Sequence, residues 1–166
     1  MKKNILLTAA ALVTTLAGVA QWQPAGDRIR TQWGEKLDPQ NVLPEYPRPQ
    51  MVRGNWQNLN GLWDYTVEDG DEYSRRRSGK ILVPFSPESL LSGCDFRLES
   101  GETLWYERTF TLPEGFRRDR VLLHFGAVDY ACAVQVNGHL VGGHRGGYWP
   151  FALDITDALN HAGHDR

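Results

Sequence analysis

Near the end of the sequence, three side chains have the types and spacing for ligand chemistry. In HRGGYWPFALDIT, residues 144–156, Tyr148 and Trp149 precede Pro150, and Asp154 follows four residues later. A phenol or indole ring can lie against the apolar side of a ligand while its O–H or N–H keeps a polar handle. A carboxylate can accept hydrogen bonds from two neighbouring hydroxyls, and charged acceptors make the stronger bonds. Gly142, Gly143, Gly146 and Gly147 let the backbone bend around these groups, and Pro150 fixes the exit. The same residues have a purely structural reading. Tyr148, Trp149 and Phe151 would plug the end of a sheet structure as local core. Asp154 would stabilise the turn into TDAL, with Thr156 capping a short helix. Core packing is the commoner role for aromatics, and Trp149 is the least committed to it. For Asp154 the residues alone leave the two readings even.

Other chemistries find no support. His139 and His144 lie five apart across a turn with no third ligand nearby, so no metal site is expected. There is no glycine-rich phosphate loop opening a helix and no GxSxG nucleophile elbow. No catalytic residue and no cofactor are therefore expected. The formal charge of −2 becomes −4 once Lys2 and Lys3 are set aside, which argues against nucleic-acid binding. Arg75, Arg76 and Arg77 fall in EDGDEYSRRRSG and read as a solvated loop face. Cys132 alternates in step with Tyr130, Val134 and Val136 as a small inward-facing residue, so a Cys94–Cys132 disulfide is not expected.

The elements that must position these groups are short strands. Residues 1–20, MKKNILLTAAALVTTLAGVA, have a basic start, an apolar run and small residues at Gly18 and Ala20. They read as a secretory signal cleaved near Ala20, too short for a comfortable membrane span. Export to the periplasm or the exterior is the expectation, with no membrane attachment after cleavage. Residues 21–50 hold five of the nine prolines and read as an extended leader along a surface, pinned by Trp22 and Trp33. GLWDYTV alternates, with Trp63, Tyr65 and Val67 on one face; KILVPF is a short apolar strand ended by Pro84. SPESLLSGCDFRLESGE reads as a loop with one helical turn, LWYERTFTL as an alternating strand, and RVLLHFGAV as a buried one. Asn137-Gly138, between two apolar runs, is the pair that a tight two-residue hairpin prefers. Short strands with turn signals between them predict an all-β, antiparallel sandwich over residues 51–166.

Five blocks in order, NLNGLWDY, VPFSPESLLSG, LWYERTFTLP, RVLLHFGAVDY and VQVNGHLVGGHRGGYWPFALDIT, resemble the N-terminal sugar-binding domain of glycoside hydrolase family 2 over roughly residues 47–160. That group includes β-galactosidases, β-glucuronidases and β-mannosidases. The resemblance implies a jelly-roll-like, galactose-binding-domain-like sandwich. It implies a parent enzyme that hydrolyses β-glycosides with two glutamates on a separate (β/α)₈ barrel, one the acid/base and one the nucleophile, ~5–5.5 Å apart. It also implies that Asp154, in the matching PFxxD(I/V)T block, touches the sugar bound at the barrel mouth; Trp149 and Tyr148 stay substrate-contact candidates on their ring chemistry alone. The family's DALxxGxNxLxVxV stretch runs on where DALNHAGHDR stops. The expectation is thus a truncated domain lacking its last strand or strands, poorly soluble alone, whose partners are a β-glycoside and a barrel. Two other functions stay open: a free-standing carbohydrate-binding module, and a structural sandwich that meets no sugar.

Overall fold

A computed structural model of the chain describes residues 22–70 and 75–160. The expected signal helix over 1–20 lies outside the described residues, as does the stretch 161–166 that bears on a missing strand. Among the described residues the architecture is all-β with only short helical turns, as expected of a sandwich domain.

Among the described residues, seven strands form three antiparallel groups. Strands β1 (Gly61–Asp69), β2 (Arg75–Val83) and β3 (Glu102–Glu107) make a sheet of order β2-β1-β3. Strand β4 (Leu122–Phe125) pairs with β7 (Phe151–Asp154), and β5 (Ala131–Val136) pairs with β6 (His139–Arg145). In β2, Ile81 and Leu82 are both fully buried although they point to opposite faces. Protein covers both sides of the strand there, which is why KILVPF is continuously apolar instead of alternating.

The arginine run departs from its expected loop. β2 begins at Arg75, and the Cα of Arg77 stands opposite Val67 of β1. The Arg77 guanidinium lies 4.5 Å from the centre of the Phe96 ring and 3.6 Å from Glu102. Ladder pairing and a stacked aromatic thus hold Arg77, a half-buried residue, where local charge density alone suggested solvent. β3 is shorter than LWYERTFTL predicts, since the run leaves the sheet after Glu107. Phe110 and Leu112 then pack on a second core of Val121, Val136, Ile155 and Leu159.

The proline-rich segment docks irregularly. Trp22 Nε1 donates to Ser92 O, Ala25 N donates to Leu90 O, and Val42 is buried. Trp33 pins nothing. It sits in a four-residue helix, Gln32–Glu35, and is 73% exposed. Thr31 Oγ1 caps that helix by accepting from Gly34 N, a threonine N-cap that the surrounding prolines masked. The helical turn expected near SPESLLSG is Leu90–Ser92, capped by Ser89 and ended by Gly93 at φ 83°.

The β5–β6 hairpin turns at Asn137-Gly138, with φ of 51° and 80°. Both angles lie in the left-handed region that a two-residue turn of this hand requires. Asn137 Nδ2 also donates to Ala158 O at 2.8 Å, tying the turn to the second core. Asn137→Ala is expected to cost about 1–2 kcal/mol, from left-handed strain and a lost hydrogen bond. Asn137→Gly should recover the strain part only. Thermal melts of the two variants followed by circular dichroism check both; equal melting points would remove the backbone contribution.

Candidate functional site

The segment from Gly146 to Thr156 is mounted on a column of rings. The Phe151 ring stacks on Phe125 at 4.8 Å and on His144 at 4.3 Å, joining β7 to both β4 and β6. Stacked rings of this kind contribute about 0.5–1.5 kcal/mol beyond their buried area. Gly146 N donates to Tyr130 O, and Gly147 lies against the Asp129 carboxylate so closely that a Cβ would sit 2.5 Å from Oδ1. A side chain at the second glycine of HRGGYW would therefore force the Asp129 carboxylate to move.

The aromatic residues divide. Phe151 is the half-buried plug that the structural reading foresaw for all three. Tyr148 and Trp149 plug nothing: they are 94% and 74% exposed. The turn projects them outward once Pro150 starts the descent into β7. These two exposed rings, consecutive in sequence, are available to an apolar ligand face.

Asp154 ends β7 opposite Leu122 of β4. Its side chain shares one face of the β4–β7 ladder with Ala152, Leu122 and, two residues before Leu122, Arg120. Oδ1 accepts from Thr156 N at 3.0 Å and from Thr156 Oγ1 at 2.5 Å; Oδ2 lies 3.3 Å from Arg120 Nε. The Thr156 hydroxyl, then its backbone N–H, then the Arg120 charge hold the Asp154 carboxyl below the usual carboxylate range. The group is thus an anion at neutral and mildly acidic pH and stays open to solvent.

Asp154 ends β7, and the aromatic pair precedes the start of that strand in the chain. Phe151 and Asp154 stand about 10 Å apart along the strand. Tyr148 and Trp149 lie beyond the Phe151 end, and Asp154 at the other. Thr156 does not cap the short helix, whose N-cap position is Ile155 with no side-chain cap, whereas Asp154 does brace the turn. Asp154 accepts from Thr156 N at the start of a turn over Thr156–Ala158, while Thr156 Oγ1 accepts from Val121 N at 3.0 Å.

Sequence reasoning missed Arg117 and Arg120. Arg117 donates to Thr156 O and Asn160 O, closing the segment after Asp154. The only local signal for either was their place in the charged turn PEGFRRDR. Cys94 and Cys132 are free thiols, and burial pushes the Cys94 thiol up, keeping it protonated. Among the described residues no group of three or more His, Cys, Asp or Glu side chains is arranged to hold a metal.

Residues 91–166 match the family model described as glycosyl hydrolases family 2, sugar binding domain. The chain is similar to a β-glucuronidase of Felis catus, 35% identical over 127 residues, covering 67% of this chain and 19% of that protein. It is also 37% identical over 113 residues to a β-galactosidase of Thermoanaerobacter pseudethanolicus, covering 63% and 15%. A solved Bifidobacterium dentium β-glucuronidase, complexed with coumarin-3-O-glucuronide, superimposes with a TM-score of 0.50 at 31% identity, covering 64% of this chain and 18% of that one. The Faecalibacterium prausnitzii β-glucuronidase does so with a TM-score of 0.51 at 28% identity, covering 66% and 19%. The chain spans about a fifth of the length of these relatives.

Proposed function

Because the chain carries the N-terminal sugar-binding domain of glycosyl hydrolases family 2, we propose that it serves an exported β-glycosidase by shaping the substrate pocket. The match over residues 91–166 carries this reading, since that stretch contains Asp154, Tyr148 and Trp149 together. In it, Asp154 accepts hydrogen bonds from sugar hydroxyls, and the exposed rings of Tyr148 and Trp149 meet the C–H face of the glycoside or its aglycone. The bond-breaking carboxylates are supplied by a barrel domain, whose mouth this domain borders. The export part of the proposal rests on the signal-like pattern of residues 1–20. Since β-glucuronidases and a β-galactosidase are among the similar proteins, β-glucuronides and β-galactosides are the first substrates to test.

The exposure of Tyr148 and Trp149 also favours a second reading, a carbohydrate-binding module that acts without a barrel. One experiment separates the two. Chromogenic aryl β-glucuronides, β-galactosides and β-mannosides are offered to the 166-residue chain and to the intact enzyme, and binding to the chain is followed by isothermal titration. Turnover by the intact enzyme alone, with weak or no binding by the isolated chain, is the expected result. Hydrolysis by the isolated chain overturns the proposal. Tight binding by the chain with no hydrolysis in either form favours the module.

A further inference from the structure

Resting on the substrate contact proposed for Asp154, we infer that Thr156 is a positioning residue that aims the Asp154 carboxylate, fixing Oδ1 so that Oδ2 is the oxygen offered to a sugar hydroxyl.

The geometry is a relay of directed hydrogen bonds. A threonine hydroxyl has one proton and two lone pairs. Here the backbone N–H of Val121, a buried residue at the head of β4, donates to Thr156 Oγ1 at 3.0 Å. With that acceptor site filled by a group that cannot move, the hydroxyl proton is directed at Asp154 Oδ1, 2.5 Å away. Thr156 N adds a second donor to the same oxygen at 3.0 Å. The turn itself is held from the far side: Ile155 N donates to Val121 O, and Arg117 donates to Thr156 O. Every donor that fixes the carboxylate through Oδ1 is therefore tied to β4 or to the closing turn.

Oδ2 differs. Its partner is the Arg120 guanidinium at 3.3 Å, on a side chain 76% exposed to solvent. Exposed pairs of this kind exchange readily with water and hold little geometry. A sugar hydroxyl that donates to Oδ2 can thus enter without disturbing the two bonds on Oδ1. A hydroxyl placed there is also within reach of a guanidinium donor, so the site favours a ligand group that donates and accepts at once, as a secondary alcohol does. Among the described residues, Arg120 is the charged group in contact with Asp154.

The test compares Thr156→Val, which keeps shape but removes the hydroxyl, with Thr156→Ser, which restores it. In the intact enzyme Thr156→Val is expected to lower kcat/KM for an aryl β-glycoside about tenfold, and Thr156→Ser to stay within twofold of the parent. In parallel, carbon-detected NMR titration of the Asp154 carboxyl should show its midpoint moved up in Thr156→Val and unmoved in Thr156→Ser. Equal midpoints in parent and Thr156→Val overturn the inference, as does a Thr156→Ser variant that behaves like Thr156→Val. Should Thr156→Val not fold, the titration of Arg120→Gln decides. A midpoint still well below the ordinary aspartate value supports Thr156 as the controlling partner, and a return to the ordinary value overturns it. If Asp154→Ala leaves activity intact, the substrate contact fails, while the titrations still report on Thr156.

Discussion

On the proposed substrate contact, replacing Asp154 by alanine in a full-length enzyme carrying this domain is expected to lower kcat/KM for an aryl β-glycoside roughly 10- to 100-fold while the domain stays folded. The range is that of a lost hydrogen bond to a charged acceptor, read as transition-state stabilisation. The fold survives because Asp154 is exposed at the end of β7, and the cores of this domain are built from Val67, Ile81, Leu82, Val121, Val136 and Ile155. Asp154→Asn sharpens the result. Its amide oxygen can still accept from Thr156 N and Oγ1, so the turn is kept while the charge is removed. Initial rates over a range of substrate concentrations check both variants, with circular dichroism as the control for folding. Parent-like kcat/KM in both would remove Asp154 from the substrate contacts.

The largest loss of stability is expected from Ile81→Ala. Ile81 is fully buried in β2, opposite Trp63 of the central strand β1, and its neighbour Leu82 is buried on the other face. Truncating it removes apolar burial and leaves a cavity in a strand that is covered on both faces and can close it only in part. A cost of about 2–5 kcal/mol follows, or a melting point lower by roughly 10 °C. Ile81→Val should cost about 1 kcal/mol. Thermal or urea melts monitored by circular dichroism provide the measurement. An alanine variant that melts within a degree or two of the parent would mean that β2 is not a core strand.

Much of the scaffold was legible because its signals are local. Alternation in GLWDYTV marks β1, the apolar run in KILVPF marks the buried part of β2, and Asn137-Gly138 marks the hairpin with the positive φ angles it needs. What was not legible is set by partners distant in sequence. Arg75 and Arg77 belong to a strand because β1 pairs with them, and nothing within RRRSG announces that. Trp33 reads from the sequence as a pin for the leader, and for Tyr148 and Trp149 core packing is the commoner of their two readings. Their exposure depends on backbone direction in segments held by Thr31, Tyr130 and Asp129. The candidate site follows the same division. Asp154 could be singled out from its own sequence block. Its orientation depends on Val121 and Arg120, which lie more than thirty residues earlier and meet it only through the β4–β7 ladder.

The pairing of Leu122 with Asp154 and of Phe125 with Phe151 limits how this stretch can change over evolutionary time. Successive residues of β7 alternate between a ring-packed side and an open side. A single inserted or deleted codon between Phe151 and Asp154 would exchange those sides, turning the acid inward and a leucine outward. Descendants of this sequence can trade one side chain for another along the strand, but gains or losses of length there must come in twos.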